Sequence, residues 1–216
     1  MSCMSAPAGM GRIEFTETTA SFKVSDNDFS GAAAVIIPMG DTKFHTGAAM
    51  LWDNEQDVGM AQISGSYIVT GDPIGFMEGL FGPSITLGFS SRYIFADSMP
   101  EDSSSFDIDA GFQFSLFPSF AIGMTGTDIL HNREITTGFS NVFNRTLKGH
   151  VAFTEDSWQV GCELSVTRFF RVFSGTDTKN VHAGLMYSFG SWKCDYAVIL
   201  HENAIEHSVG LSRRFQ

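Results

Sequence analysis

Apolar and polar residues alternate one by one along most of this chain, and that period of two limits its fold more than any other feature. In Val181, Ala183, Leu185, Tyr187 and Phe189 every second side chain is apolar, with His182, Gly184, Met186 and Ser188 between them. After Gly190-Ser191 the pattern resumes with Trp192, Cys194, Tyr196, Val198 and Leu200 against Lys193, Asp195, Ala197, Ile199 and His201. It returns with Val209, Leu211 and Phe215 against Ser208, Gly210, Ser212 and Arg214. Successive side chains of an extended strand point to opposite faces, so these segments specify strands with one apolar face.

Soluble sheets alternate as well, and three details choose between solvents. The apolar face carries Phe189, Trp192 and Phe215 at strand ends, where aromatic rings suit a bilayer interface. The opposite face carries Lys193, Asp195, His182, His201 and Arg214, which are costly in a dry core but not in a wet lumen. The last amphipathic strand closes on an aromatic residue one position before the end, as in outer-membrane barrels. Composition agrees: charged residues are 17%, below the roughly 25% of an average soluble domain, while Gly (22) and Phe (21) are plentiful. Gly suits a crowded lumen face and Phe a lipid face. No apolar run approaches the roughly 18 residues of a spanning helix, so a membrane crossing would use strands.

The expected fold is all-β: an antiparallel up-and-down transmembrane β-barrel with about 12 strands in this chain, in the bacterial outer membrane. The expected spans are 11–24, 29–38, 42–53, 58–70, 83–96, 105–116, 119–130, 143–154, 157–172, 178–189, 191–201 and 204–215. Residues 1–10 stand apart as an N-terminal segment, and 11–216 form the barrel domain. The short connections Gly190-Ser191, Glu155-Asp156, Phe117-Pro118 and Pro38-Met39-Gly40-Asp41 are expected on the periplasmic side. Connections at 25–28, 53–57, 97–104, 131–142, 173–177 and 202–203 are expected as outer loops, rich in Asp and Glu, with Arg133 as their main base. The exception is Gly71 to Gly82, long and partly apolar; its Phe76, Met77, Leu80 and Phe81 either gate the barrel from below or lie in the membrane interface.

A family resemblance adds to this reading. Phe189-Gly190-Ser191-Trp192-Lys193-Cys194-Asp195-Tyr196-Ala197, followed by His207-Ser208-Val209-Gly210-Leu211-Ser212-Arg213-Arg214-Phe215, resembles the closing hairpin of the FadL-like and PorV/PorQ-like outer-membrane proteins. Those chains typically end with a "DYAF" strand, a short loop and a "THxxSLxYRF" strand. Gly88 to Phe95 resembles the family's "GxxxKYI" strand, and Phe106 to Phe112 its "FxxDxGxL" strand. Arg213 departs from it, standing where an aromatic is usual. A secretion signal and the family's "NPAGL" region are not found, so the chain is expected to be either the C-terminal part of such a protein, in which case the whole barrel would have further strands, or one whose start was assigned late. The resemblance implies about fourteen strands, an N-terminal plug and passive passage of small hydrophobic compounds across the outer membrane. PorV-like relatives imply an alternative, a docking or shuttle partner of a secretion and surface-attachment system. A soluble β-sandwich or lipocalin-like binder is the third alternative.

The residues expected to line the lumen are Arg92, Asp107, Asp109, Lys148, His150, Glu163, His182, Lys193, Asp195 and His201. Mixed signs on neighbouring strands would pair across the ladder and hold the interior together. Asp107 and Asp109 share a face, roughly 7 Å apart along a strand, but no nucleophile accompanies them. Ser165 or Ser188 with His150 or His182 makes a triad only on paper, because spacing does not establish its geometry. No catalytic residue, metal ligand or cofactor is therefore assigned. Cys3, Cys162 and Cys194 are odd in number and lack metal-like spacing; the latter two sit on apolar faces as packing residues. A net charge of -11 argues against nucleic acid as a partner, leaving outer-membrane lipid, a small solute or a secretion-machinery protein.

Overall fold

The computed structural model describes residues 15–25, 29–39, 43–54, 58–71, 83–96, 106–117, 119–131, 133–201 and 204–215. They form fourteen strands. The first seven are β1 (Thr16–Val24), β2 (Phe29–Met39), β3 (Phe44–Asp53), β4 (Val58–Thr70), β5 (Ser84–Ala96), β6 (Phe106–Phe117) and β7 (Phe120–Thr127). The second seven are β8 (Glu134–Val142), β9 (Leu147–Phe153), β10 (Trp158–Ser165), β11 (Phe170–Asp177), β12 (Val181–Phe189), β13 (Trp192–Leu200) and β14 (Ile205–Phe215). Each pairs antiparallel with its sequence neighbours, and β1 pairs with β14 from Thr16↔Phe215 to Val24↔His207, closing the barrel. Closure satisfies every edge, as strands in hydrocarbon must.

The register fixes which residues share a face. Leu164 pairs with Leu147 and Val172, and Leu185 with Val172 and Tyr196, so the outward set is continuous from strand to strand. Phe89, Phe112, Leu164, Leu185 and Leu211 are exposed on that outer wall and meet no second sheet. This rules out the soluble sandwich. Among the described outward-facing strand residues, Arg213 is the one formal charge; every other charged strand residue has the inward parity. Three outward glycines are covered by aromatics directly across the ladder: Trp52 lies over Gly31, Phe95 over Gly59 and Phe89 over Gly65. Each pair fills what would otherwise be a gap in the apolar belt.

The expectation of about twelve strands is corrected to fourteen, and the two missed strands have a physical explanation. β8 was expected as loop because its outward row, Ile135, Thr137, Phe139 and Asn141, is half polar. β11 was expected partly as the end of a long strand over 157–172 and partly as a loop. Its pattern is mixed, with Phe173 inward and Ser174 and Thr176 outward, so hydropathy hides the period. Each omission reverses strand direction, so the two errors cancel except between them. The Glu155-Asp156 turn therefore lies on the rim of the 25–28 and 178–180 connections, opposite Gly190-Ser191. β1 and β14 pair directly, so the fourteen described strands close on themselves. Residues 1–10 and the segment containing Phe76, Met77, Leu80 and Phe81 lie outside the described residues.

The interior is two-sided. On β2 to β7 the inward face is buried, with small apolar residues (Ala32, Ala34, Ile36, Ala49) beside His45, Gln62, Ser64, Ser66, Thr86, Ser90, Asp107 and Asp109. On β8 to β12 the inward face borders a cavity of about 760 Å³.

Candidate functional site

All ten residues expected in the lumen have the inward parity, but the structure distributes them among separate clusters. On the buried wall, Asp107 and Arg92 are cross-strand partners, as are Asp109 and Ser90. The Arg92 guanidinium donates to Asp107 Oδ2 from Nη2 at 2.6 Å and Nε at 3.1 Å, while Nη2 also lies 3.1 Å from Asp109 Oδ1. The Ser90 hydroxyl donates to Asp109 Oδ2 at 2.9 Å. The remaining acceptor positions hold the β7–β8 turn: Asp128 N–H donates to Asp109 Oδ1 and Leu130 N–H to Asp107 Oδ1. Asp128 adopts φ 52°, a conformation tolerated by Asp and held here by that bond. Thus the two carboxylates compensate one guanidinium and fasten a rim turn to the wall, which makes burial of the charges affordable. Asp107, Asp128 and His131 offer ligand atoms within 4.8 Å of one another, but both oxygens of Asp107 already serve Arg92 and Leu130.

The open wall carries the second group. Glu163 Oε1 receives Lys148 Nζ at 3.4 Å and Arg171 Nη1 at 3.1 Å, forming a bridge across β9, β10 and β11. His182 Nε2 lies 2.9 Å from Asp177 Oδ2, and the Asp177 carboxylate also accepts from the N–H groups of Lys179 and Asn180. His150 lies across Gly161, whose missing Cβ leaves room for the imidazole. Lys148, His150, Glu163, Phe173, Asp177, His182 and Met186 all border the cavity, giving it charges of both signs and an apolar patch.

The third group closes the seam. At the rim bearing both strand termini, Glu17 takes Lys193 at 3.3 Å and Arg214 at 3.1 Å. At the other rim, Glu206 takes Lys23 at 2.6 Å and His201 at 3.0 Å. Asp195 lies across Gly210. Sequence reasoning missed Glu17, Lys23, Arg171, Phe173 and Glu206; the alternation of Glu17, Thr19, Ser21 and Lys23 with Ala20, Phe22 and Val24 would have found Glu17 and Lys23, whereas Phe173 gave no polar signal. No Ser–His hydrogen bond joins Ser165 or Ser188 to His150 or His182 among the described residues, and His182 is engaged by Asp177. Cys162 and Cys194 face outward as free thiols.

No family model matches the chain, and no curated sequence matches it. Its fold does match solved structures. It is similar to the outer membrane protein Omp33 of Acinetobacter baumannii, with TM-score 0.71, 10% identity, and coverage of 95% of this chain and 100% of that one. It is similar to a deletion mutant of TodX, described as a monoaromatic hydrocarbon channel, with TM-score 0.71, 9% identity, and coverage of 99% and 94%. The KdgM porin matches less closely, with TM-score 0.52, 12% identity, and coverage of 93% and 99%. The architecture is that of a bacterial outer-membrane β-barrel, and the uncharged outward belt is the surface such a membrane covers.

Proposed function

We propose that this barrel is a passive outer-membrane channel for small compounds with a substantial apolar part. The observation that carries the reading is the cavity of about 760 Å³ on the β8–β12 wall, within the roughly 300–1,000 Å³ range of small-molecule sites. Phe173 and Met186 give it an apolar contact surface, while Lys148, His150, Glu163 and His182 offer polar ends. The FadL-like resemblance of the closing hairpin supports a hydrophobic solute, and the similarity in fold to a monoaromatic hydrocarbon channel is consistent with it.

The test is flux into proteoliposomes of toluene-sized aromatic compounds, compared with sugars of similar volume, together with single-channel conductance. Faster aromatic flux through the wild type than through Phe173→Gln supports the proposal. Glu163→Gln should shift ion selectivity toward anions, because it frees Lys148 and Arg171 at the cavity wall. A barrel that conducts nothing and passes neither solute, yet co-purifies with a secretion component, would instead support the docking reading.

A further inference from the structure

Two arginines on one rim are stacked on aromatic rings. Arg213 faces outward near the end of β14, with its guanidinium carbon 5.0 Å from the Trp192 ring centroid and 4.8 Å from that of Phe215. Arg168, in the exposed β10–β11 turn, lies 4.3 Å over Phe169. Both turns and strand ends belong to the rim bearing the ends of β1 and β14. Neither guanidinium has a carboxylate or carbonyl acceptor among the described residues, whereas Arg92, Arg171 and Arg214 each have one.

The surroundings favour an anion. Arg145, Arg168 and the Glu163-paired Arg171 line one concavity of about 370 Å³ with the hydroxyl-bearing Thr146, Ser165 and Thr167, and no acid lines it. The opposite rim carries Asp128, Glu155, Asp156 and Asp177 against Arg133 and Lys179 in its described turns, so its balance is acidic where the Arg145–Arg168 rim is basic. An arginine stacked on an interfacial aromatic keeps its planar fork of donors pointed along the membrane boundary, where a lipid phosphate sits. Arg213, the one formal charge among the described outward-facing strand residues, has a reason to be there if that boundary is its level.

We infer that the Arg213–Trp192–Phe215 and Arg168–Phe169 stacks form a docking collar for the phosphates of anionic phospholipid, of which phosphatidylglycerol is the probe. The collar fixes the barrel's depth and identifies this rim as the one seated in a phospholipid leaflet. The attraction comes from exposed charges near an anionic surface, so it weakens with salt.

The test uses the folded barrel in phosphatidylcholine vesicles containing trace spin-labelled phosphatidylglycerol or phosphatidylcholine, reading the fraction of each label immobilised at the protein. Wild type should select phosphatidylglycerol several-fold. Arg168→Gln and Arg213→Gln should each lower that selectivity part of the way, and the double variant should bring it to parity. Lys179→Gln, an equal loss of charge in the opposite rim, should retain it. The wild-type preference should also fall as salt rises, which keeps the inference testable should a variant fail to fold. No wild-type preference, a preference indifferent to salt, persistence in a folded double variant, or equal loss in Lys179→Gln would overturn it.

Discussion

Arg92→Ala should be among the most damaging single changes to the barrel wall. The side chains of Asp107 and Asp109 are only 5% and 1% exposed, and Nη2 of Arg92 contacts both at 2.6 and 3.1 Å. Removing the guanidinium leaves two carboxylates sharing a nearly dry site. Breaking a buried ion pair typically costs about 3–5 kcal/mol, and the surviving donors Ser90, Asp128 N–H and Leu130 N–H place this case near ~3 kcal/mol. The assay is urea unfolding in lipid vesicles, followed by tryptophan fluorescence and by heat-modifiable gel migration. Because both carboxylates also hold the β7–β8 turn, the Asp128 and Leu130 amides should exchange faster in Arg92→Ala. The combined variant Arg92→Met, Asp107→Asn, Asp109→Asn removes every charge together and should recover at least half of the loss. A cost below about 1 kcal/mol for Arg92→Ala, or a triple variant no more stable than it, would refute the reasoning.

Other substitutions probe the two faces and the seam. Leu185→Arg, at the middle of the outer face of β12, should cost about 2–4 kcal/mol in urea unfolding, whereas Met186→Arg, one residue along and inward, should fold normally and change ion selectivity. Glu17→Gln removes the shared partner of Lys193 and Arg214 and should lower stability by about 1 kcal/mol, read as a lower urea midpoint. Gly31→Ala would drive a methyl group into the Trp52 indole and should cost about 1–3 kcal/mol, with Trp52 emission changed in the folded state.

How much was legible in the sequence depended on whether a strand's two faces differ. Where they do, as in β12 with Leu185 and Tyr187 outward and His182 and Met186 inward, both the strand and its lumen residues could be read directly. In β8, Thr137 and Asn141 take outward positions, and in β11 Phe173 takes an inward one, so hydropathy loses the period while the ladder hydrogen bonds keep it. The facing of all ten expected lumen residues followed from parity within one strand. Their partners did not, because Glu17 reaches Lys193 and Arg214 only through closure between the first and last strands, a relation that local alternation does not encode. Arg213 was visible as a departure from the family pattern, but its aromatic partners came from the register of β13 and β14 and from the rim.

Spin labels placed in vesicle-reconstituted protein lacking Cys3 report most directly which solvent touches each wall. A label at Cys162, with Cys194 replaced by Ala, should be accessible to oxygen and shielded from a water-soluble nickel chelate. One at Ser140→Cys, with Cys162 and Cys194 both replaced, should meet the chelate freely, since Ser140 pairs with the lumen residue His150. Nickel access to Cys162 equal to that at position 140 would mean that water wets both sides of the sheet, and the barrel would not be a membrane-spanning one.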